Sequence, residues 1–330
     1  MTHDIIGIGN AIVDVISPAT DTFLDQMGIE KGIMQLVPRE RAELLYAAMS
    51  ERVEAPGGSV ANTLAGIGAL GLSTAFVGKV RDDALGRFYA ASMAESGTAF
   101  PNAPRPGALP TSRSMIFVSP DGERSMNTYL GAGADIASGD VPDIFGAGIF
   151  GPGILFLEGY LFDKPEGKTA FAEAARRAKA AGGRAALTLS DPFCVERHRV
   201  DFRRLVEEEV DVAIGNEAEW TALYGTDDLG DALGLAAEAC GTVACTRSGA
   251  SVLVRAGGAR GEAPVEPARV VDATGAGDQF AAGFLYGLAT GRDVETAARM
   301  GVVCAREVIG HIGPRPQADV MALFREAGLA

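Results

Sequence analysis

Asp272-Ala-Thr-Gly-Ala-Gly-Asp278 runs straight into the apolar, small-residue segment Gln279-Phe-Ala-Ala-Gly-Phe-Leu-Tyr286. Gly275 and Gly277, on either side of Ala276, let the backbone approach a ligand closely, and the segment that follows has a helical pattern. Free N–H groups at a helix start, together with the partial positive charge of the helix end, suit an anion such as phosphate. A carboxylate at the rim of that site would repel the phosphate, so Asp278 reads as a base for an attacking hydroxyl. Taken alone, the same window also suits a capped structural turn.

The composition sets limits on partners. Among 330 residues, 43 acidic side chains face 29 basic ones, and the formal net charge of −14 disfavours nucleic acid or an anionic membrane as a partner. Cys194, Cys240, Cys245 and Cys304 have no CxxC spacing, and His3, His198 and His311 lie far apart, so buried reduced thiols are expected rather than a zinc site. The first residues lack a basic region followed by an apolar core, and no 18-residue uncharged apolar run follows, which points to a cytoplasmic protein.

Outward from the loop, short apolar runs alternate with helix-period segments. Strands are expected at 5–9, 74–80, 154–158, 185–190, 210–214 and 242–246. Helices are expected at about 59–70, 83–96, 165–181, 196–208, 216–223, 228–239, 277–290 and 293–308. This rhythm implies an α/β fold in which a largely parallel sheet carries helices on both faces and ligands gather at the strands' carboxyl ends. Two segments break it, 11–37 and 112–130. In the second, Ser112–Val118 and Ser125–Tyr129 flank Pro120-Asp-Gly-Glu123 as a hairpin. No linker separates two domains, so 1–330 is expected to be one body with a small β-sheet lid built from about 11–37 and 104–132. Residues 256–263 read as a loop.

Other nucleotide motifs fail in context. Gly66-Ile-Gly-Ala-Leu-Gly71 matches GxGxxG but ends a helical segment, the reverse of the dinucleotide arrangement, and Gly7-Ile-Gly-Asn-Ala-Ile12 lacks the third glycine. The P-loop pattern is absent. Two N-terminal clusters remain. Asn10, Ile12 and Asp14 alternate on one face of an extended segment, placing acceptors that suit vicinal hydroxyls. Gly57-Gly58-Ser59-Val-Ala-Asn62 opens a helix with Asn62 one turn beyond Gly58. Each feature singly is equally consistent with a strand end, an N-cap or an exposed amide, but jointly they point to a site.

Asn10-Ala-Ile-Val-Asp14, Gly57-Gly58-Ser59-x-x-Asn62, Asn216-Glu-Ala-Glu219 and Asp272-x-Thr274-Gly-Ala-Gly-Asp278 occur in the order seen in the ribokinase-like (PfkB) family of carbohydrate and nucleoside kinases, which the chain resembles over nearly its whole length. Ala273 and Val60 depart from the family's usual residues without removing a catalytic group. The resemblance implies a ribokinase-like three-layer α/β/α body with a lid. It also implies ATP-dependent transfer to a primary hydroxyl, with Asp278 as base and the N–H groups around Gly275, Ala276 and Gly277 as anion hole. Asn216 and Glu219 resemble the element that organises Mg2+ and phosphate, although the spacing is also a helix capping box. Thr246 and Gly249 resemble a turn that contacts ATP, and Asp272 and Thr274 a site for a monovalent cation such as K+.

Within the family the chain looks most like the adenosine kinase group. That likeness implies that Asp14 and Asn62 bind ribose hydroxyls, with Asn10, Gly57, Gly58 and Ser59 around them, and that Met34, Leu36, Met126, Tyr160 and Phe193 wall a purine. Adenosine is thus the expected small-molecule substrate, with another nucleoside or a sugar as the alternative acceptor. A monomer or homodimer is expected. A binding protein that had lost the chemistry should also have lost Asp278 or its glycines, and both are present.

Overall fold

The computed structural model describes residues 3–141 and 150–330; Met1, Thr2 and 142–149, which the single-body expectation also covered, lie outside them. Along the chain the strands are β1 (His3–Ile8), β2 (Ile12–Pro18), β3 (Met34–Leu36), β4 (Val53–Pro56), β5 (Thr74–Val77), β6 (Thr98–Ala99), β7 (Ser112–Val118), β8 (Arg124–Tyr129), β9 (Phe150–Glu158), β10 (Arg184–Thr188), β11 (Val212–Asn216), β12 (Thr242–Thr246), β13 (Val252–Ala256) and β14 (Ala259–Ala263). The helices are α1 (Asp21–Met27), α2 (Arg39–Ala48), α3 (Ser59–Ala69), α4 (Ala84–Glu95), α5 (Pro165–Ala180), α6 (Pro192–Arg197), α7 (Arg199–Arg204), α8 (Glu217–Tyr224), α9 (Leu229–Ala239), α10 (Ala276–Ala289), α11 (Val294–Val308) and α12 (Val320–Glu326).

The large sheet runs β14-β13-β12-β11-β10-β9-β1-β5-β6, parallel from β12 to β6 and antiparallel only where β13 and β14 fold back. Side chains alternate across a strand, so each strand feeds two cores. Ile5, Phe76, Phe156 and Ile214 pack with α3, α10 and α11 on one face. Ile6, Val77, Leu157 and Leu187 pack with α5, α8 and α9 on the other. Both faces are covered, which explains why these strands read as continuous apolar runs. A second sheet, β3-β8-β7-β2-β4, stands apart, with β7 and β8 pairing as the expected hairpin and Gly122 turning it at φ +88°. Cys194, Cys240, Cys245 and Cys304 are free and buried. Among the described residues no helix is long and apolar enough to cross a membrane.

Beyond α2 and α12, where no helix was expected, the elements depart from expectation in four places. Segment 11–37 contains α1, capped by Thr20 and closed by Gly28 at φ +59°, where only strand had been expected. The small sheet also recruits β4, outside the expected lid segments. Residues 256–263 are not a loop: Gly257 and Gly258, both at positive φ, turn β13 into β14, as suits a two-residue hairpin. The helix expected at 196–208 breaks at His198 into α6, α7 and a π-helical turn at Leu205–Glu209.

Candidate active site

Glycine geometry brings the carboxyl end of β1 to the start of α3. Gly57 donates its N–H to Ile12 O at 2.8 Å, and Gly58, at φ +97°, lies so close to the Asn10 carbonyl that a Cβ there would sit 2.4 Å from it. A Cβ at Gly57 would lie 2.7 Å from the carboxylate of Asp14, so Asp14 on β2 rests directly on this turn. The next residues of α3 turn toward α10. Ser59 Oγ donates to Asp278 Oδ1 at 2.6 Å and Asn62 Nδ2 donates to Asp278 Oδ2 at 3.0 Å. Asn62 is buried, not exposed. The two ends of the sequence therefore meet on one carboxylate.

Gly275 caps α10 at φ +82° and packs on Pro314. The Ala276 N–H is already spent, donating to Ala273 O at 3.2 Å, which corrects the expectation that it joins the anion hole. The N–H groups of Gly277 and Asp278 have no acceptor among the described residues, and they stand at the positive end of the helix. Burial raises Asp278 to about 6 against the two hydrogen bonds and the Arg315 charge, which favour the carboxylate. Burial likewise raises Asp14 to about 7, with Asp278 adding to the rise and Arg124 and Arg315 opposing it. Carboxyls perturbed in this way mark a desolvated cleft where a base can be poised near neutrality.

Asn10 is placed differently from expectation. It precedes β2 rather than sharing its face with Asp14, and its Nδ2 donates to Glu158 Oε1 at 2.8 Å. Its Oδ1 is buried without a partner among the described residues. Glu158, which ends β9, also accepts from Asn10 N and Val60 N, both at 3.2 Å. Burial pushes Glu158 up to about 7.

The cation expectation at Asp272 and Thr274 meets a different occupant. Arg124, at the start of β8 in the small sheet, donates to Asp272 Oδ2 at 2.9 Å and to Thr274 Oγ1 at 2.7 Å. Asp272 also accepts from Thr274 N and Gly313 N. This donor set is filled by a guanidinium and two amides, so K+ does not fit the arrangement. Asn216 and Glu219 form a complete capping box: Asn216 N and Nδ2 donate to Glu219, and Asn216 Oδ1 accepts from Glu219 N. Glu219 rises to about 7 through burial. These two residues suit contact with Mg2+ through its water shell but not direct ligation.

Asn216, Thr246, Gly249, Ala276 and Gly277 line one mostly apolar cavity of about 1030 Å³. It opens beside the start of α10 and brings together Asn216, Thr246, Gly249 and Gly277 of the expected nucleotide residues, while Glu219 and Gly275 are not part of its lining. The expected purine wall is not assembled around the aspartates. Met34 pairs with Met126 in register, and Met34 and Leu36 are exposed on edge strand β3. Phe193 is 72% exposed. Tyr160 donates to Ser190 O at 3.3 Å, and burial raises its phenol.

No role was expected for Glu158, Gln279 or Arg315. A charged residue closing the apolar run Ile154–Leu157 was a usable signal for Glu158. An isolated arginine between Pro314 and Pro316 carried none.

The profile described as pfkB family carbohydrate kinase matches residues 32–320. A probable sugar kinase from Rhizobium etli superimposes with a TM-score of 0.90 at 42% identity over 100% of both chains. An adenosine kinase from Sinorhizobium meliloti does so with a TM-score of 0.88 at 45% identity, covering 99% of this chain and 100% of that one. By sequence, a 5-dehydro-2-deoxygluconokinase from Shouchella clausii is 28% identical over 77% of this chain and 80% of its own. A cytidine kinase from Thermococcus kodakarensis is 38% identical over 34% of this chain and 41% of its own.

Proposed function

The chain belongs to the pfkB family of carbohydrate kinases, enzymes that phosphorylate hydroxyl groups of sugars or nucleosides, and on that premise we propose that it is a cytoplasmic kinase transferring the γ-phosphate of ATP to the 5′-hydroxyl of adenosine. The observation that carries this reading is Asp278, held by Ser59 and Asn62 and directly following Gly277, which lines the nucleotide-sized cavity, next to two free N–H groups. Asp278 accepts the proton of the attacking hydroxyl, and the N–H groups of Gly277 and Asp278 donate to the phosphoryl oxygens as charge moves onto them. Arg124, beside Thr274, supplies a positive charge at the same place. Asn216 and Glu219 would hold Mg2+ indirectly, through its water shell, and the ion when bound would supply positive charge to the phosphates. The small sheet acts as a lid: Arg124 ties it to the catalytic loop, and closure excludes the water that would otherwise hydrolyse ATP.

Asp14 and the unpartnered Oδ1 of Asn10 are acceptors for vicinal hydroxyls, which a nucleoside and a free sugar both carry. Adenosine is chosen over a bare sugar because Met34 and Leu36, exposed on the edge strand of the small sheet and not assembled around the aspartates, are apolar side chains that a closing lid would carry toward a flat base. The Sinorhizobium relative supports the same choice. The likeness to a probable sugar kinase supports a sugar acceptor as the second reading.

A panel of adenosine, inosine, guanosine, cytidine, ribose and fructose with Mg-ATP tests the substrate; a preference for a free sugar would overturn the nucleoside reading. Asp278→Asn tests the chemistry. Turnover should fall by about 10²-fold or more with adenosine binding retained, and near-normal turnover would remove Asp278 from the role of base.

A further inference from the structure

The segment Gly313-Pro314-Arg315 is threaded through the site by a set of specific bonds. Gly313 N donates to Asp272 Oδ2 at 3.1 Å, and Pro314 packs against Gly275, where an added Cβ would meet Pro314 Cα at 2.6 Å. Buried Gln279, the residue after Asp278, donates from one Nε2 to Pro314 O and to Asn62 O, both at 2.9 Å. A Cβ at Gly66 on α3 would meet Gln279 Oε1 at 2.1 Å. The C-terminal segment, α3 and α10 are thereby locked into a single register.

Arg315 is what this register presents to the carboxylates. Its Nε donates to Asn62 Oδ1 at 3.3 Å, and the amide on the other side of Asn62 donates to Asp278. The bond to Arg315 fixes which end of the Asn62 amide faces Asp278: a flipped amide would set oxygen against oxygen there and nitrogen against nitrogen at Arg315. Nη2 of Arg315 is buried without a partner among the described residues, and burial opposes the charge of the guanidinium. A buried cation is retained at such cost where it faces anions. Here those anions are Asp14 on β2 and Asp278 on α10.

We propose that Arg315 is a positioning residue for phosphoryl transfer, orienting Asn62 so that its amide donates to Asp278 and supplying the counter-charge to the paired carboxylates Asp14 and Asp278. The inference rests on the reading of Asp278 as base. The other ionisable groups around that carboxylate are Glu158 from β9 and Tyr160 just beyond it, with Tyr89 of α4 near Arg315 and Arg124 of β8 acting on Asp14. Arg315 is the cation among them whose charge favours the Asp278 carboxylate, while Arg124 lies on Thr274 of the same loop.

The test is the pH profile of kcat/KM at saturating Mg-ATP for the wild type, Arg315→Met, Arg315→Lys and Asp278→Asn. Loss of the positive charge disfavours the carboxylate, so in Arg315→Met the acid limb should move to higher pH by about one unit. At pH 5 that is about a tenfold loss beyond any uniform decrease. Arg315→Lys keeps the charge and should hold the limb within about 0.3 unit of wild type. If Arg315→Met does not fold, Arg315→Gln should show the same displacement. A limb that stays in place in the uncharged variant, or moves equally far in Arg315→Lys, overturns the inference while Asp278→Asn remains inactive. Activity in Asp278→Asn would overturn both readings.

Discussion

Glu158 is a buried carboxylate whose ionisation the fold resists, and the consequence is measurable. Its side chain is 1% exposed and accepts from Asn10 N, Asn10 Nδ2 and Val60 N. Desolvation outweighs those three donors, and the nearby Asp278 charge adds to it, raising the group from its ordinary 4.5 to about 7. At about 1.4 kcal/mol per pH unit, the native state gives up about 3 kcal/mol when this carboxyl must ionise. The sign follows from proton binding. Between pH 4.5 and 7 the folded protein keeps the proton that the unfolded chain releases, so the contribution is fully present below 4.5 and lost as pH rises through 7. Glu158→Gln stays neutral and lacks this slope, although its NH2 group faces the Val60 N–H and forfeits about 1 kcal/mol at every pH. Asp14, Glu219 and Asp278 are raised in the same direction and act in both proteins. Urea titrations at pH 5, 6, 7 and 8 should therefore show the stability of the Gln variant gaining on wild type by about 2–3 kcal/mol across the series. Parallel pH dependences for the two proteins would refute the reasoning.

Other substitutions probe the loop and the lid. Gly275→Ala places a Cβ at φ +82° and 2.6 Å from Pro314 Cα, combining about 1–2 kcal/mol of left-handed strain with about 1–3 kcal/mol of overpacking. Urea unfolding should register a loss of about 2–5 kcal/mol, and a change under about 0.5 kcal/mol would show that the loop relaxes freely. Arg124→Gln removes the ion pair with Asp272, whose partners are 18% and 9% exposed, together with the charge near Thr274. Steady-state assays should show kcat reduced by about 10²-fold with nucleotide affinity little altered; a decrease under about twofold would remove Arg124 from the phosphoryl site.

Much of the body was legible because its signals are local. The continuous apolar run of β1 and the small-residue helix after Gly277 show their elements without reference to the rest of the chain, and β12 and α5 fell within a residue of expectation. Errors came where a short signal depends on context. Two glycines at 257 and 258 suit a loop or a tight hairpin equally well, and only the edge offered by β12 decides for the hairpin. A seven-residue helix such as α1 is too brief to declare a period.

By itself, the sequence determined the alternating sheet body, the glycine loop with its aspartate and the acceptor cluster at the amino end, because each depends on residues within one or two turns of one another. Only the tertiary structure decided which partners those groups take. Asp278 is held by residues more than 200 positions away, Asp272 by an arginine from the second sheet, and Asn62 by Arg315. The physical reason is that a buried polar group must find partners among whatever side chains packing delivers to it. That delivery is a property of the closed fold, and no spacing along the chain encodes it.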